Sequence, residues 1–282
     1  MDVRELSGKT VLVTGAGSGI GRASAIAFGS RGADLVICDV NEEGLKQTEE
    51  TLLALERSVL SRRVDVANPE EMAEFAEEVH RQVRAVDILM NNAGVALVAS
   101  FLDTPLEDWD WLLRINLRGV IHGCHFFLPP MVARGVGGHV VNVASLTAYV
   151  PNEVLAAYTT SKYAVLGLSE ALRLELHSHR IGVTAVCPGI INTPITATSP
   201  IRGVTDVPVE RKRMMQIYER RNYGPERVAR NVLKAIQRNR AIAPISPESW
   251  IFYYLKRMAP GLVHALMRRF VVPIQRGPSE SG

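Results

Sequence analysis

Short runs of β-branched and apolar residues recur along the chain at 10–14 (TVLVT), 34–39 (DLVICD), a run ending in Val64, Asp65 and Val66, 86–90, 138–143 (GHVVNV) and 183–186. Between them lie longer segments whose apolar residues return every three to four positions, at 22–31, 41–55 and 69–83, the last with Asn68 as N-cap and Glu70 and Glu71 in its first turn. A further helix follows Thr104-Pro105 and runs through WDWLLRINLRGVIHGCHFFL, and another carries YTTSK out to about His179. Fully apolar strands alternating with amphipathic helices predict an α/β protein: a Rossmann-type, doubly wound parallel sheet of about seven strands flanked by helices.

In such sheets ligands bind beyond the carboxyl ends of the strands, and the polar motifs fall there. GAGSGIG follows the first strand, and Gly15, Gly19 and Gly21 suit a tight turn, a close approach to a pyrophosphate and a helix packed on its strand. Asp39 ends the second strand, where a carboxylate meets an adenosine ribose; the alternatives are a solvated strand end or a helix cap that Asn41 could equally supply. Asp65 and the turn NNAG (91–94) reach the same edge, as do Ala144 and Ser145 after the fifth strand. Asn116 sits inside a mostly apolar helix, which suggests a buried polar role, with surface placement as the alternative. Tyr158 and Lys162 are spaced i and i+4 and share a helix face, so the ammonium can lie beside the phenol and lower its pKa towards a range useful for acid/base work. Alone, the tetrapeptide is an aromatic residue and a charge on a helix; the surrounding motifs give it a context.

Composition narrows the choices. With 282 residues, 47% hydrophobic and 22% charged, the chain can build one large core, and no compositional shift divides it. A net charge of +3 without a dense basic block argues against nucleic acid as a partner. Cys38, Cys124 and Cys187 are scattered in apolar surroundings, as expected of buried thiols in a reducing compartment. His122 and His125 lack carboxylate or cysteine companions and read as packing or surface residues, so no metal is expected. The charged N-terminal segment has no apolar core, and no run reaches a membrane-spanning length, which predicts a cytoplasmic protein.

The ordered set TGAGSGIG (14–21), Asp65-Val66, NNAG (91–94), Asn116, Ser145, YTTSK (158–162) and Pro188-Gly189 with Thr193 closely resembles the short-chain dehydrogenase/reductase family, from about residue 7 to 245. The resemblance implies hydride transfer between a secondary alcohol or ketone and a nicotinamide cofactor, NAD in preference to NADP because of Asp39. It implies Tyr158 as acid/base, Lys162 as the cation that tunes it and binds the nicotinamide ribose, Ser145 as partner of the substrate oxygen, and Asn116 as holder of a relay water. Thr14, Gly15, Ser18, Gly19, Ile20 and Gly21 would take the pyrophosphate, Asp39 the adenosine ribose, and Asp65 and Val66 the adenine. Asn92, Ala93 and Gly94 would line the cofactor edge, and Pro188, Gly189, Ile191 and Thr193 the nicotinamide side. A homodimer or homotetramer is the implied assembly.

Residues 1–245 would form the catalytic domain, with a substrate lid at about 190–230. The lid carries Arg202, Arg211, Lys212, Arg213, Arg220 and Arg221, which could steer an anionic acyl thioester but fit better the solvated face of a helix whose Met214, Met215, Ile217 and Tyr218 point inward. Residues 246–282 form a helical extension rather than a second domain. Its aromatics beside Lys256, Arg257, Arg268 and Arg269 suit packing or a flap over an apolar pocket, with a peripheral membrane contact as the alternative. The expected substrate is a lipophilic alcohol or ketone of steroid, retinoid or long-chain type; the alternatives are a 3-oxoacyl-thioester reductase and a non-catalytic dinucleotide-binding protein.

Overall fold

The structure, a computed structural model, describes residues 4–270, with side chains as far as Arg268. Along the chain run β1 (Thr10–Thr14), α1 (Gly19–Gly29), β2 (Asp34–Asp39), α2 (Glu42–Leu53), β3 (Val59–Arg63), α3 (Pro69–Gln82) and β4 (Ile88–Asn91). Then follow α4 (Leu106–Leu113), α5 (Gly119–Arg134), β5 (Gly138–Val143), α6 (Ala156–Glu175) and β6 (Ile181–Cys187). The last elements are α7 (Ile195–Thr198), α8 (Val207–Arg221), α9 (Pro225–Gln237), β7 (Ile242–Pro244), α10 (Pro247–Met258) and α11 (Pro260–Phe270). The strands form one parallel sheet in the order β3-β2-β1-β4-β5-β6-β7, as the alternating pattern predicts. Strand order reverses between β1 and β4, which opens a crevice at their carboxyl ends.

Alternation along each strand feeds two cores. Val11 and Val13 of β1 and Leu35 and Ile37 of β2 join the core under α1 and α9, whereas Leu12, Val36 and Cys38 join the core under α3 and α5. Complete burial of a side chain such as Phe28 or Phe127 contributes about 1.5–3 kcal/mol, so each face is held by many such groups. Helix starts follow local chemistry: Asn41 caps α2 by accepting from Gly44 N at 3.1 Å, and Asn68 caps α3 by accepting from Glu70 N and Glu71 N at 3.0 and 3.2 Å.

Several boundaries differ from the sequence expectation. α1 begins at Gly19, three residues before Arg22, because the glycine turn itself enters the helix. β3 ends at Arg63: Val64 N still donates to Asp39 O of β2 at 3.2 Å, and the next amide, Asp65 N, is taken by the Glu71 carboxylate at 2.9 Å. The helix α6 stops at Glu175, after which a short turn leads to Arg180 at φ 57°. The long helix around Asn116 is interrupted by a π turn at Arg114–Arg118, and this widened turn leaves Asn116 fully buried.

At the amino-terminal rim of the sheet, buried His139 places Nε2 at 2.8 Å from Thr184 Oγ1, which donates to Arg240 O at 2.6 Å. The hydroxyl proton is therefore in use, so His139 Nε2 is the donor. Burial lowers the His139 pKa to about 3 from 6.5. A folded-state pKa below the unfolded one means stability present above pH 6.5 and lost as pH falls towards 3, by up to about 1.4 kcal/mol per pH unit. Urea titrations between pH 7 and 4 should show a shallower acid-side loss for His139→Gln than for the parent; equal slopes would remove this histidine from the acid response.

Candidate active site

The crevice is built from backbone first. Gly15 has φ +67°, and a Cβ there would lie 2.7 Å from the Cα of Ala93; at Gly21 a Cβ would collide with the Gly15 carbonyl oxygen. The two glycines let β1, α1 and the turn after β4 meet without side chains between them. Thr14 is buried and its hydroxyl accepts from Asn92 N and Ala93 N at 3.0 and 3.1 Å, while Asn92 Nδ2 donates to the carbonyls of Thr14 and Gly15 at 2.9 and 3.1 Å. Ser18, at the start of α1, makes no side-chain cap, so the first N–H groups of that helix face the crevice without an intrahelical partner.

Asp39 stands at the end of β2, its carboxylate accepting from Gly17 N at 2.7 Å and Asn41 N at 2.9 Å. Asn41 supplies the cap of α2, so Asp39 is not that helix's cap. Arg22, which the sequence reading passed over, donates to Gly17 O at 2.5 Å and Gly44 O at 2.9 Å and so fixes the glycine turn against α2. Its one signal is its position directly after the glycine run.

On the other side of the crevice, Lys162 and Tyr158 share a face of α6 as their spacing predicts, with Lys162 Nζ 5.6 Å from the Tyr158 ring centre. The expected lowering of the Tyr158 pKa is not found. Burial pushes the phenol up to about 12, opposed by a hydrogen bond with Ser145, and burial brings the Lys162 ammonium down to about 8. Desolvation is the largest influence on both, so each is driven towards its neutral form. Lys162 Nζ donates instead to Val143 O at 3.0 Å. Asn116 holds the backbone of Val95 at both ends, accepting from its N–H at 2.8 Å and donating to its carbonyl at 2.9 Å, and also donates to Ser161 Oγ at 3.2 Å.

A cavity of about 770 Å³ joins both halves. Its walls include Gly15, Ser18, Gly19, Ile20, Asp39, Asp65, Val66, Asn92, Ala93, Gly94, Ser145, Tyr158, Lys162, Pro188, Gly189, Ile191 and Thr193. Three predicted site residues do not line it. Thr14 lies behind Asn92 and Ala93, Gly21 behind Gly15, and Asn116 behind Val95, each spent on holding the backbone that does face the space. The space suits a dinucleotide: glycines whose Cβ atoms would intrude, uncapped helix N–H groups for phosphate, and a strand-end carboxylate for a ribose.

The lid and the extension close the far side. Met214, Ile217 and Tyr218 of α8 line the cavity as expected and Met215 does not, although both Met215 and Ile217 are also exposed to solvent. The basic lid is not simply a solvated face: Arg202 pairs with Asp108 at 2.9 Å, Arg211 donates to Ala197 O at 2.6 Å, Arg221 pairs with Glu248 at 2.6 Å, and Arg213 stands at the cavity wall. Arg202, Lys212, Arg213 and Arg220 are nonetheless exposed, in keeping with the expected solvated face. The extension packs on the catalytic part: Val263 is fully buried, Tyr149 OH donates to Ser249 O at 3.0 Å, and Phe252 and Met267 line the cavity. Val271 and Val272, expected at the end of the last helix, lie outside the described residues. Among the described residues no helix is long and apolar enough to cross a membrane, and no cluster of side chains could hold a metal ion.

A family model described as short chain dehydrogenase matches residues 9–201, a span that contains the glycine turn, Asp39, NNAG and the Ser145, Tyr158 and Lys162 group. The chain belongs to the short-chain dehydrogenase family. This short-chain dehydrogenase is 39% identical over 266 residues to "Probable oxidoreductase EphD" of Mycobacterium tuberculosis, covering 93% of the chain and 45% of that relative, so it spans about half of the relative's length. It is 33% identical over 195 residues to the 3-oxoacyl-[acyl-carrier-protein] reductase FabG of Thermotoga maritima, covering 69% of the chain and 79% of the relative. Among solved structures, a short-chain dehydrogenase/reductase from Burkholderia phymatum in complex with NAD superposes with a TM-score of 0.84 at 29% identity, covering 92% of this chain and 96% of that one.

Proposed function

We propose that the chain is an NAD-dependent oxidoreductase that interconverts a secondary alcohol and a ketone on a lipophilic substrate, with Tyr158 as the acid/base. The observation that carries this reading is the shared cavity. Ser145, Tyr158 and Lys162 open onto the same space as Val150, Leu155, Met214, Ile217, Phe252 and Met267, so a reacting oxygen and an apolar body can be held together. NAD, when bound, supplies the hydride acceptor for alcohol oxidation.

The chain's own groups handle the proton and the binding. Tyr158 exchanges a proton with the substrate oxygen, and Ser145, already hydrogen-bonded to that phenol, positions the oxygen. Lys162 holds the nicotinamide ribose and provides positive charge near the phenol. Asn116 and Lys162 both come close to Gly94, and a relay water held by Asn116 is part of this reading. Asp39 accepts from the adenosine ribose hydroxyls and repels a 2′-phosphate. Arg22 supports the same preference for NAD, because its guanidinium is turned to Gly17 O and Gly44 O rather than left free for a phosphate.

Incubation with NAD⁺ and a panel of lipophilic secondary alcohols, followed at the NADH absorbance, tests the reading; no turnover across the panel would overturn it. FabG and the placement of Arg213 at the cavity wall favour a second reading, a 3-oxoacyl-thioester reductase, which predicts faster turnover of a 3-oxoacyl thioester with a reduced cofactor. Asp39→Asn keeps an acceptor for Gly17 N–H but removes the charge. It should narrow the NAD/NADP ratio of kcat/KM by about tenfold, equivalent to about 1.4 kcal/mol. An unchanged ratio would place cofactor discrimination at other residues.

A further inference from the structure

The helical extension does more than cover the cavity. Its first helix sends the Glu248 side chain back to the loop that leaves β6, where one carboxylate oxygen accepts from Ile190 N at 3.1 Å and the other accepts from Arg221 Nη2 at 2.6 Å. Ile190 belongs to the Pro188–Thr193 stretch assigned to the nicotinamide side, and Arg221 is the last residue of the lid helix α8. One carboxylate therefore touches the loop, the lid and, through its own backbone, the extension. The loop is shaped to admit it: at Gly189 any Cβ would run into the Glu248 carboxylate and the Ser246 hydroxyl. A neighbouring contact acts in the same direction, since Ser249 Oγ donates to Cys187 O at 2.7 Å.

The charge state agrees with this placement. Burial alone would raise the Glu248 pKa, but hydrogen bonds from Arg221 and from the Ile190 backbone, which the geometry shows, act against it, and the carboxyl lies below its usual range. The group is half-shielded, ionised at neutral pH and engaged on both oxygens. It also lines the cavity that contains Tyr158.

We propose that Glu248 is a positioning residue for the reaction: it fixes the loop beside the nicotinamide site and ties the lid to it, so that the extension sets the geometry in which cofactor and substrate meet. This rests on the oxidoreductase reading given above. Misplacing a binding loop by an ångström can lower turnover about 10²-fold without touching the chemistry.

The test uses the full chain with Glu248→Gln, Glu248→Ala and Arg221→Met. Amide hydrogen exchange of the protein without added ligand reads the latch directly. Glu248→Ala should raise exchange at Ile190 and along 207–221 by at least about tenfold, Glu248→Gln should leave Ile190 protected because its amide oxygen still accepts, and Arg221→Met should loosen 207–221 alone. Unchanged exchange in Glu248→Ala would overturn the latch whether or not a substrate has been found. With a turned-over alcohol in hand, Glu248→Ala should lower kcat/KM by about 10–10²-fold and raise the KM for NAD, with Glu248→Gln recovering the KM. Raised exchange with unaltered kinetics would overturn the positioning role. A parent protein that turns over no alcohol would instead count against the oxidoreductase reading, and the exchange result would still decide the latch.

Discussion

Tyr158→Phe lowers kcat for the alcohol by about 10²–10⁴-fold, the range general acid/base catalysis contributes, and leaves NADH affinity within about threefold, or about 0.7 kcal/mol. The ring volume is kept and only the hydroxyl is lost, so packing against Trp109 and the other members of that small cluster is preserved. With its pKa pushed up to about 12, the phenol is protonated at neutral pH, ready to donate to a ketone oxygen in the reducing direction. In the oxidising direction it must first give up that proton, the step for which the proposed reading calls on Lys162. Steady-state rates in both directions, with NADH binding followed by fluorescence titration, check the result. Activity close to the parent's would move the acid/base to another group.

Gly21→Ala is the second large effect, and it strikes the cofactor half. The new methyl would run into the Gly15 carbonyl oxygen and the Asn92 amide, both of which are fixed: Gly15 by its left-handed φ of +67°, Asn92 by bonds to Thr14 O and Gly15 O. Overpacking of this kind costs about 1–3 kcal/mol in stability. The turn can relieve it only by moving Gly15 and α1 apart, which spoils the phosphate cradle, so NADH affinity should fall by at least about tenfold. Thermal denaturation and calorimetric titration with NADH read the two losses. Gly167→Ala is the matched control, since nothing lies near its Cβ and a helical alanine stabilises by about 0.5–1 kcal/mol. Loss of NADH binding in the control as well would show that the effect at Gly21 is not local.

Much of this architecture was legible because each signal was local. Six of the seven parallel strands, the glycine turn, Asp39 at a strand end and the shared face of Tyr158 and Lys162 all follow from spacing along a few residues, whereas β7, three residues long, left no run to read. What escaped was tertiary. The roles of Thr14, Gly21 and Asn116 as supports behind the cavity wall depend on partners at Asn92, Gly15 and Val95 that only the folded chain brings near. Glu248 had no motif to mark it, because its two partners lie 58 and 27 residues away. The direction of the Tyr158 shift was missed for a related reason: the i, i+4 spacing fixes the lysine's distance, but the surrounding burial decides which influence dominates.

The parallel sheet also divides labour between its two rims. Reactive groups gather where the strands end, whereas His139 with Thr184, and Asp87 paired with Arg134 at 3.0 Å and Lys9 at 3.3 Å, lie where strands begin. Groups this far apart, sharing no partners, alter a protein independently. A lineage built on this plan can therefore toughen one rim and retune the other, gaining heat or acid tolerance without renegotiating its chemistry.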